Sequence, residues 1–222
     1  PCVVSFSEGS GQDFRGDDRL YYQVLDSLVG PGRILVASAG NGGLVKSYFS
    51  KPRGVVSAGT FVRPSGQRVA FTVKGTQRYA VRLVDYEAGP DTLLLSSARV
   101  AADSVYTCRW AGARVTATAY ASAYAATDTV VDVVIDSIAS RTLSAEVVGA
   151  GAEVSFYRVV GDLVTHAAND RLTAGECTHN IGSPSSAPAV ICVGSTAYRQ
   201  DIYTYLGAHR VYDMGHNGER TY

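Results

Sequence analysis

The residues best suited to chemistry are one asparagine and the glycines around it. Asn41 lies between Gly40 and the pair Gly42 and Gly43, directly after a run of small and β-branched apolar residues. The glycines let the backbone turn where a side chain would clash, so the amide of Asn41 is expected to project from the end of the run. There it can donate a hydrogen bond to negative charge that develops on a substrate oxygen. Taken alone, these residues are more typical of a tight Asn-Gly turn, and only their context favours the catalytic interpretation.

Asn41 is expected to be positioned by a strand–helix–strand unit. Residues 1–6 and 33–38 are short apolar runs that are typical of buried strands. Between them, apolar residues recur at helical spacing over residues 20–28, and the glycines and proline of residues 30–32 end that helix. Such a unit builds a parallel sheet, and ligands bind at the carboxyl ends of parallel strands. The sequence therefore places Asn41 at a ligand-binding edge.

Composition argues against several other kinds of site. The 222-residue chain balances 20 Lys and Arg against 20 Asp and Glu. It has no basic run, so electrostatic binding to nucleic acid or to an anionic membrane has no support. No apolar run approaches the ~20 residues of a membrane-spanning helix. The cysteines lack Cys-x-x-Cys spacing and the histidines are scattered, so no metal site is expected.

The cysteines are expected to be buried free thiols. Cys2 and Cys192 each lie in an apolar run, where a free cysteine behaves as a small hydrophobic residue. The sequence leaves the disulfide state open for all four: Cys2, Cys108, Cys177 and Cys192.

From about residue 48 to residue 164, apolar and polar residues alternate and no helical pattern is evident. Many short alternating strands separated by turn residues predict an antiparallel sandwich or jelly roll. The predicted strands are residues 69–73, 79–83, 93–100, 105–110, 115–124, 130–138, 143–148 and 154–160.

The parallel-sheet pattern returns near residue 170, because residues 189–194 are again a short apolar run that ends in glycine. The predicted fold class is therefore an α/β parallel sheet interrupted by an all-β antiparallel insertion. The predicted domains are residues 1–47 and 170–222 for the α/β part, and residues 48–169 for the insertion.

Three segments together resemble the subtilisin-like serine proteases, the subtilases. Residues 37–43 (ASAGNGG) resemble the oxyanion-hole segment of that family, and residues 3–7 (VVSFS) resemble the strand that binds the substrate backbone. Residues 180–195 (NIGSPSSAPAVICVGS) resemble the following loop and strand. The region between them resembles the jelly-roll insertion of some bacterial and clostridial subtilases.

The resemblance implies a subtilisin-like fold and a serine endopeptidase that hydrolyses a protein or peptide substrate. It makes Asn41 the oxyanion donor. It implies no cofactor, suggests calcium by family analogy alone, and suggests a secreted or cell-surface location. The residues that it places in the substrate cleft are Ser5, Phe6, Ser7, Ala37, Ser38, Ala39 and Gly40.

The resemblance also predicts what this stretch lacks. A subtilase needs Asp, His and Ser in that order, and the resemblance places the first two before Pro1 and the Ser after Tyr222. The chain is thus expected to be the central fragment of a protease, inactive by itself, with a truncated sheet that can self-associate. Two alternatives stay open: a non-catalytic binding module built on the β-sandwich, and a pseudoprotease.

Overall fold

The computed structural model describes residues 1–7, 19–87, 91–122, 125–195 and 201–211. In chain order the elements are β1 (Cys2–Phe6), α1 (Arg19–Leu28), β2 (Arg33–Ser38), β3 (Tyr48–Lys51), β4 (Ser57–Arg63), β5 (Arg68–Gly75), β6 (Ala80–Asp85), β7 (Asp91–Ser96), α2 (Ser97–Asp103), β8 (Val105–Trp110), β9 (Ala113–Ala121), β10 (Thr129–Asp136), β11 (Leu143–Val148), β12 (Val154–Val160), β13 (Asp162–Val164), β14 (Ile191–Val193), β15 (Asp201–Tyr203) and β16 (His209–Val211).

The chain divides into two compact units. One, here called the parallel-sheet unit, has as its described residues 1–7, 22–44, 180–195 and 201–211. The other, here called the antiparallel unit, has as its described residues 19–21, 45–87, 91–122 and 125–179. The predicted domain boundaries at residues 47/48 and 169/170 stay predictions.

The parallel-sheet unit is built on three strands in the order β1-β2-β14. Both pairings are parallel, with Cys2 opposite Arg33 and Ile191 opposite Val36. The strands β15 and β16 form a separate antiparallel hairpin. A small core joins α1, β2 and the segment before β14, and its buried members are Tyr22, Leu25, Leu35, Ala37, Ala187 and Val190.

The predicted fold class, a subtilisin-like α/β parallel sheet interrupted by an all-β sandwich or jelly-roll insertion, is wrong for this chain. Most of its strands pair antiparallel, and within the described residues only β1, β2 and β14 pair in parallel. The two described helices have only 10 and 7 residues. The apolar runs at β1 and β14 were interpreted as buried strands, but both strands are exposed along their whole length. An apolar run does not reveal whether other elements cover it, and this misled the prediction.

The antiparallel unit consists of two sheets that share one core. The six-stranded sheet has the order β3-β12-β5-β10-β9-β8, and the five-stranded sheet has the order β13-β4-β11-β6-β7. Apolar residues of both sheets meet in this core, including Phe71 and Phe156 from one sheet and Leu83 from the other. Alternating strands bury one face in this way because two sheets pack against each other.

Helix α2 departs from the predicted strand over residues 93–100. The strand ends at Ser96 and the helix follows at once. Ser97 fixes this change, because its backbone N–H donates to the carbonyl of Tyr79 at 2.9 Å and its hydroxyl accepts from the N–H of Tyr79 at 3.1 Å. Val100 then packs into the core, with 1% of its surface exposed. Contacts distant in sequence thus override the local β pattern.

The chain enters and leaves the antiparallel unit at neighbouring positions. The N–H of Ser47 donates to the carbonyl of Glu176 at 3.0 Å, and the N–H of Glu176 donates to the carbonyl of Tyr48 at 2.7 Å. The hydroxyl of Ser47 also donates to the carbonyl of Thr178 at 3.1 Å. These bonds close the unit where its first and last segments meet.

The four cysteines form no disulfide with one another. Cys2, Cys177 and Cys192 are exposed, and Cys108 is half-buried. The expectation of buried cysteines is therefore wrong for Cys2, Cys177 and Cys192. Cys2 and Cys192 are exposed because the strands that carry them are exposed.

Lys51 is a fully buried cation in the antiparallel unit. Its side chain is 0% exposed, and its ammonium donates to the carbonyls of Pro52 at 3.2 Å, Val55 at 3.0 Å and Ala152 at 2.5 Å. Burial lowers the pKa of Lys51 from its ordinary value of 10.5, because the charged form is poorly solvated there. The ammonium ties the turn after β3 to the turn before β12.

We expect Lys51→Met to lower the free energy of unfolding by about 2 kcal/mol at pH 7, because it leaves buried carbonyl groups without a donor. Between the lowered pKa and 10.5, the unfolded chain binds a proton that the folded chain lacks, so wild-type stability rises with pH. The free energy of unfolding of the variant lacks this rise with pH. The difference in stability between wild type and variant should therefore be larger at pH 10 than at pH 7. Urea unfolding followed by Trp110 fluorescence measures the free energy of unfolding of both proteins at pH 7 and at pH 10. Exposed Lys46→Met is the control, and an equal loss there would contradict the role of Lys51.

Candidate functional site

A cavity of about 300 Å³ opens at the carboxyl edge of the parallel sheet. Parallel strands end at the same edge, so the residues that follow β1, β2 and β14 converge there. The cavity brings together all eight residues predicted for the site: Ser5, Phe6, Ser7, Ala37, Ser38, Ala39, Gly40 and Asn41. Val36 and residues 193–195 complete the lining.

The lining is graded from a buried floor to an exposed rim. Ala37 is 1% exposed and belongs to the small core, while Ser38, Ala39 and Gly40 are half-buried. Residues 5–7 and Asn41 are exposed. The segment after β2 therefore leads from the core out to an accessible amide.

Gly40 makes the turn that presents Asn41. Its φ of +93° lies in the region that side chains disfavour, although no atom lies within 4 Å of where its Cβ would be. The backbone conformation, and not crowding, thus requires glycine here. The amide of Asn41 forms no hydrogen bond within the described part of the chain, so it is available to a ligand.

The segment below Asn41 is held by bonds that sequence reasoning missed. The N–H of Ala39 donates to the carbonyl of Val193 at 2.9 Å, and the hydroxyl of Ser185 donates to the carbonyl of Ser38. The hydroxyl groups of Tyr22 and Ser186 lie 2.9 Å apart and share a hydrogen bond. Together these bonds fix the cavity floor to α1 and to the loop before β14. The only sequence signal for them is the group of serines at positions 183, 185 and 186.

The buried face of α1 also differs from the predicted one. The helical spacing predicts one apolar face made of Leu20, Tyr21, Val24, Leu25 and Leu28. Leu25 is buried as this predicts, but Leu20, Val24 and Leu28 are 73%, 50% and 52% exposed. The residues that face the core are Tyr22 and Leu25. Apolar residues surround much of this helix, so its sequence did not distinguish the two faces.

The described residues of the cavity lining carry no charged side chain. Their polar groups are hydroxyls, the Asn41 amide and backbone groups. Such a surface suits an uncharged chain such as a peptide backbone, and it offers donors to an oxygen that becomes negative. Within the part of the lining that the structure describes, no histidine or carboxylate is present to activate a hydroxyl as a nucleophile.

The described residues contain neither a group of metal-ligating side chains nor a helix that could span a membrane. No group of three His, Cys, Asp or Glu side chains there is arranged to hold a metal ion. Neither α1 nor α2 has the length and apolar character that crossing a bilayer requires.

No family model and no curated protein matches this sequence. Among solved structures, the chain is similar in fold to the CspB protease of Clostridium perfringens, with a TM-score of 0.61 and 14% identity. The match covers 87% of this chain and 41% of that structure. At this identity the likeness concerns the fold alone, and the chain spans less than half the length of the protein it matches.

Proposed function

We propose that this chain is part of a subtilisin-like serine endopeptidase, in which it supplies the oxyanion donor Asn41 and one side of the substrate cleft. The observation that carries the proposal is the cavity at the carboxyl edge of the parallel sheet, where the Asn41 amide, which has no hydrogen bond within the described residues, stands beside the exposed residues 5–7. The fold likeness to a clostridial protease supports it, as does the resemblance of residues 3–7, 37–43 and 180–195 to subtilases. A secreted or cell-surface location is part of the proposal.

The strand β1 suits the binding of an extended substrate. Within the described strands it pairs with β2 alone, so its other edge offers backbone N–H and C=O groups. A peptide can bind such an edge as an additional strand, with its side chains reaching pockets on alternate positions. Residues 5–7 lie where that peptide would run past the cavity.

The proposed reaction is acyl transfer. A serine from another part of the longer protein attacks the peptide carbonyl, a histidine takes the serine proton, and an aspartate orients that histidine. The carbonyl oxygen becomes negative as the new C–O bond forms, and Asn41 donates to it. The histidine then returns the proton to the leaving amine, and water releases the acyl group by the same steps.

We expect the 222-residue chain alone to hydrolyse neither casein nor an activated peptide ester, because no histidine or carboxylate among the described residues lies beside Asn41 to activate a nucleophile. The longer protein should hydrolyse both and should be labelled by a fluorophosphonate, which reacts with activated serines. Measuring hydrolysis and labelling on both forms tests the proposal. A longer protein that neither hydrolyses nor becomes labelled would favour a binding module or a pseudoprotease. Fluorophosphonate-sensitive hydrolysis by the pure chain would contradict the proposal that the serine nucleophile comes from another part of a longer protein.

A further inference from the structure

A second cavity, of about 450 Å³, lies in the antiparallel unit and is lined by basic side chains. Lys46, Arg63 and Arg141 contribute to it together with His166, and none of the described lining residues is acidic. Leu163 and Val164 form an apolar part of its wall, and Leu163 is 4% exposed. The concentration of cations is unusual in a chain whose positive and negative charges balance at 20 each.

Strand pairing explains how residues so distant in sequence meet. β4 ends at Arg63 and pairs antiparallel with β11, with Val62 opposite Leu143. Arg141 precedes β11 by two residues, so both arginines lie at the same end of the five-stranded sheet. The edge strand β13 lies on the other side of β4 and leads directly into Thr165 and His166.

The charges at this end are only partly neutralised. Arg63 forms an exposed ion pair with Asp162 at 2.9 Å. Lys46 and Arg141 form no side-chain ion pair within the described residues. Glu87 is nearby, but its Oε1 accepts from the backbone N–H of Arg141 and from the Thr142 hydroxyl. Glu87 therefore holds the segment that carries Arg141 and leaves its guanidinium free.

His166 adds a further donor. Its Nδ1 accepts from the N–H of Ala168 at 3.1 Å, which assigns the proton of the neutral ring to Nε2. The ring lies 5.2 Å from the ring of Phe61, which fixes its orientation. The cavity thus combines two free cations, one shared cation and an N–H donor around an apolar wall.

We propose that this basic cavity binds a small organic or inorganic anion that carries at least two carboxylate or phosphate groups. Guanidinium groups pair with the planar oxygens of carboxylates and phosphates, and a lysine adds a point charge. The volume is that of an ordinary small-molecule site and exceeds what one monovalent ion needs. The site is independent of the proposed protease function, since every residue in it belongs to the antiparallel unit.

Isothermal titration calorimetry of the 222-residue chain with citrate and with pyrophosphate tests the proposal. We expect saturable binding of one anion per chain at low ionic strength, weakened by added sodium chloride because the cations are exposed. Binding of citrate alone would identify a carboxylate ligand, binding of pyrophosphate alone a phosphate ligand, and binding of both the shared chemistry. If neither anion saturates, the proposal is wrong.

Substitutions locate the site. Arg141→Gln and Lys46→Gln should each weaken binding by about fivefold or more, since each removes one cation whose side chain forms no ion pair within the described residues. Asp162→Asn should strengthen binding, because it releases Arg63 to the ligand. Arg109→Gln is the matched control, because Arg109 is an exposed arginine on β8 of the other sheet and also lacks an ion pair among the described residues. Equal weakening by Arg109→Gln, or weakening by Asp162→Asn, would overturn the assignment.

Discussion

In the proposed endopeptidase, Asn41→Ala should lower kcat for peptide hydrolysis by about 10²–10³, with KM nearly unchanged. The magnitude is the one known for loss of this kind of donor in a subtilisin. The split between the two constants follows from the chemistry. The amide meets full negative charge only in the transition state, so its loss affects the rate and leaves ground-state binding almost intact.

Two further variants distinguish the oxyanion role from a role in the turn. Asn41→Asp should be at least as harmful as Asn41→Ala, because a negatively charged acceptor replaces a donor beside a developing anion. Asn169→Ala is the control: Asn169 also lies in a turn, where its side-chain oxygen accepts from the N–H of Arg171 at 3.2 Å, but it belongs to the antiparallel unit. It should leave kcat unchanged. Wild-type turnover in Asn41→Ala would reduce Asn41 to a turn residue.

Strand positions in the antiparallel unit could be predicted closely from the sequence. The strands expected at residues 105–110, 143–148 and 154–160 have the bounds of β8, β11 and β12. Each of these strands alternates apolar and polar residues or lies between clear turn residues, and those signals are local. α2 could not be predicted in the same way, because the bonds between Ser97 and Tyr79 that place it span 18 residues.

The predicted fold class was wrong because fold class depends on which elements cover each strand. The runs that became β1 and β14 have the composition of buried strands, yet Val3 is 66% exposed and Ile191 is 53% exposed. Their resemblance to a protease segment added weight to a large parallel sheet. Most strands of the chain instead pair antiparallel. The fold class is defined by how the majority of strands pair, and one motif does not reveal that.

The candidate site, like the fold, could be predicted from the sequence only in part. Residues 5–7 and 37–41 meet in one cavity because parallel strands end at the same edge of a sheet. The sequence indicated this arrangement of strands. The roles of these residues in catalysis and substrate binding stay predictions. The bonds that hold the cavity floor join residues 147 and 164 positions apart, and no local pattern reveals them. The basic cavity was invisible for the same reason, because Lys46, Arg63 and Arg141 belong to no basic run.

The centre of the antiparallel core should be far more sensitive to substitution than its surface. Phe156 is 0% exposed, and its ring stacks on Phe49 at 4.6 Å and on Phe71 at 4.7 Å. Phe156→Ala removes both ring contacts and leaves a cavity that neighbouring strands cannot fill. We expect it to lower the free energy of unfolding of this unit by about 3–5 kcal/mol.

Urea unfolding can isolate this effect, because Trp110 is the single tryptophan of the chain and lies in the same core with 5% exposure. Its fluorescence therefore reports on the antiparallel unit alone. Leu94→Ala is the matched apolar truncation: Leu94 lies on β7 of the same unit but is 60% exposed, so its loss should change stability by no more than about 0.5 kcal/mol. If the two variants unfolded at the same urea concentration, the stacked phenylalanines would not be the centre of this core. A large loss for Phe156→Ala alone would show that burial of the stacked rings of β3, β12 and β5 in the core, and not strand pairing by itself, stabilises the unit.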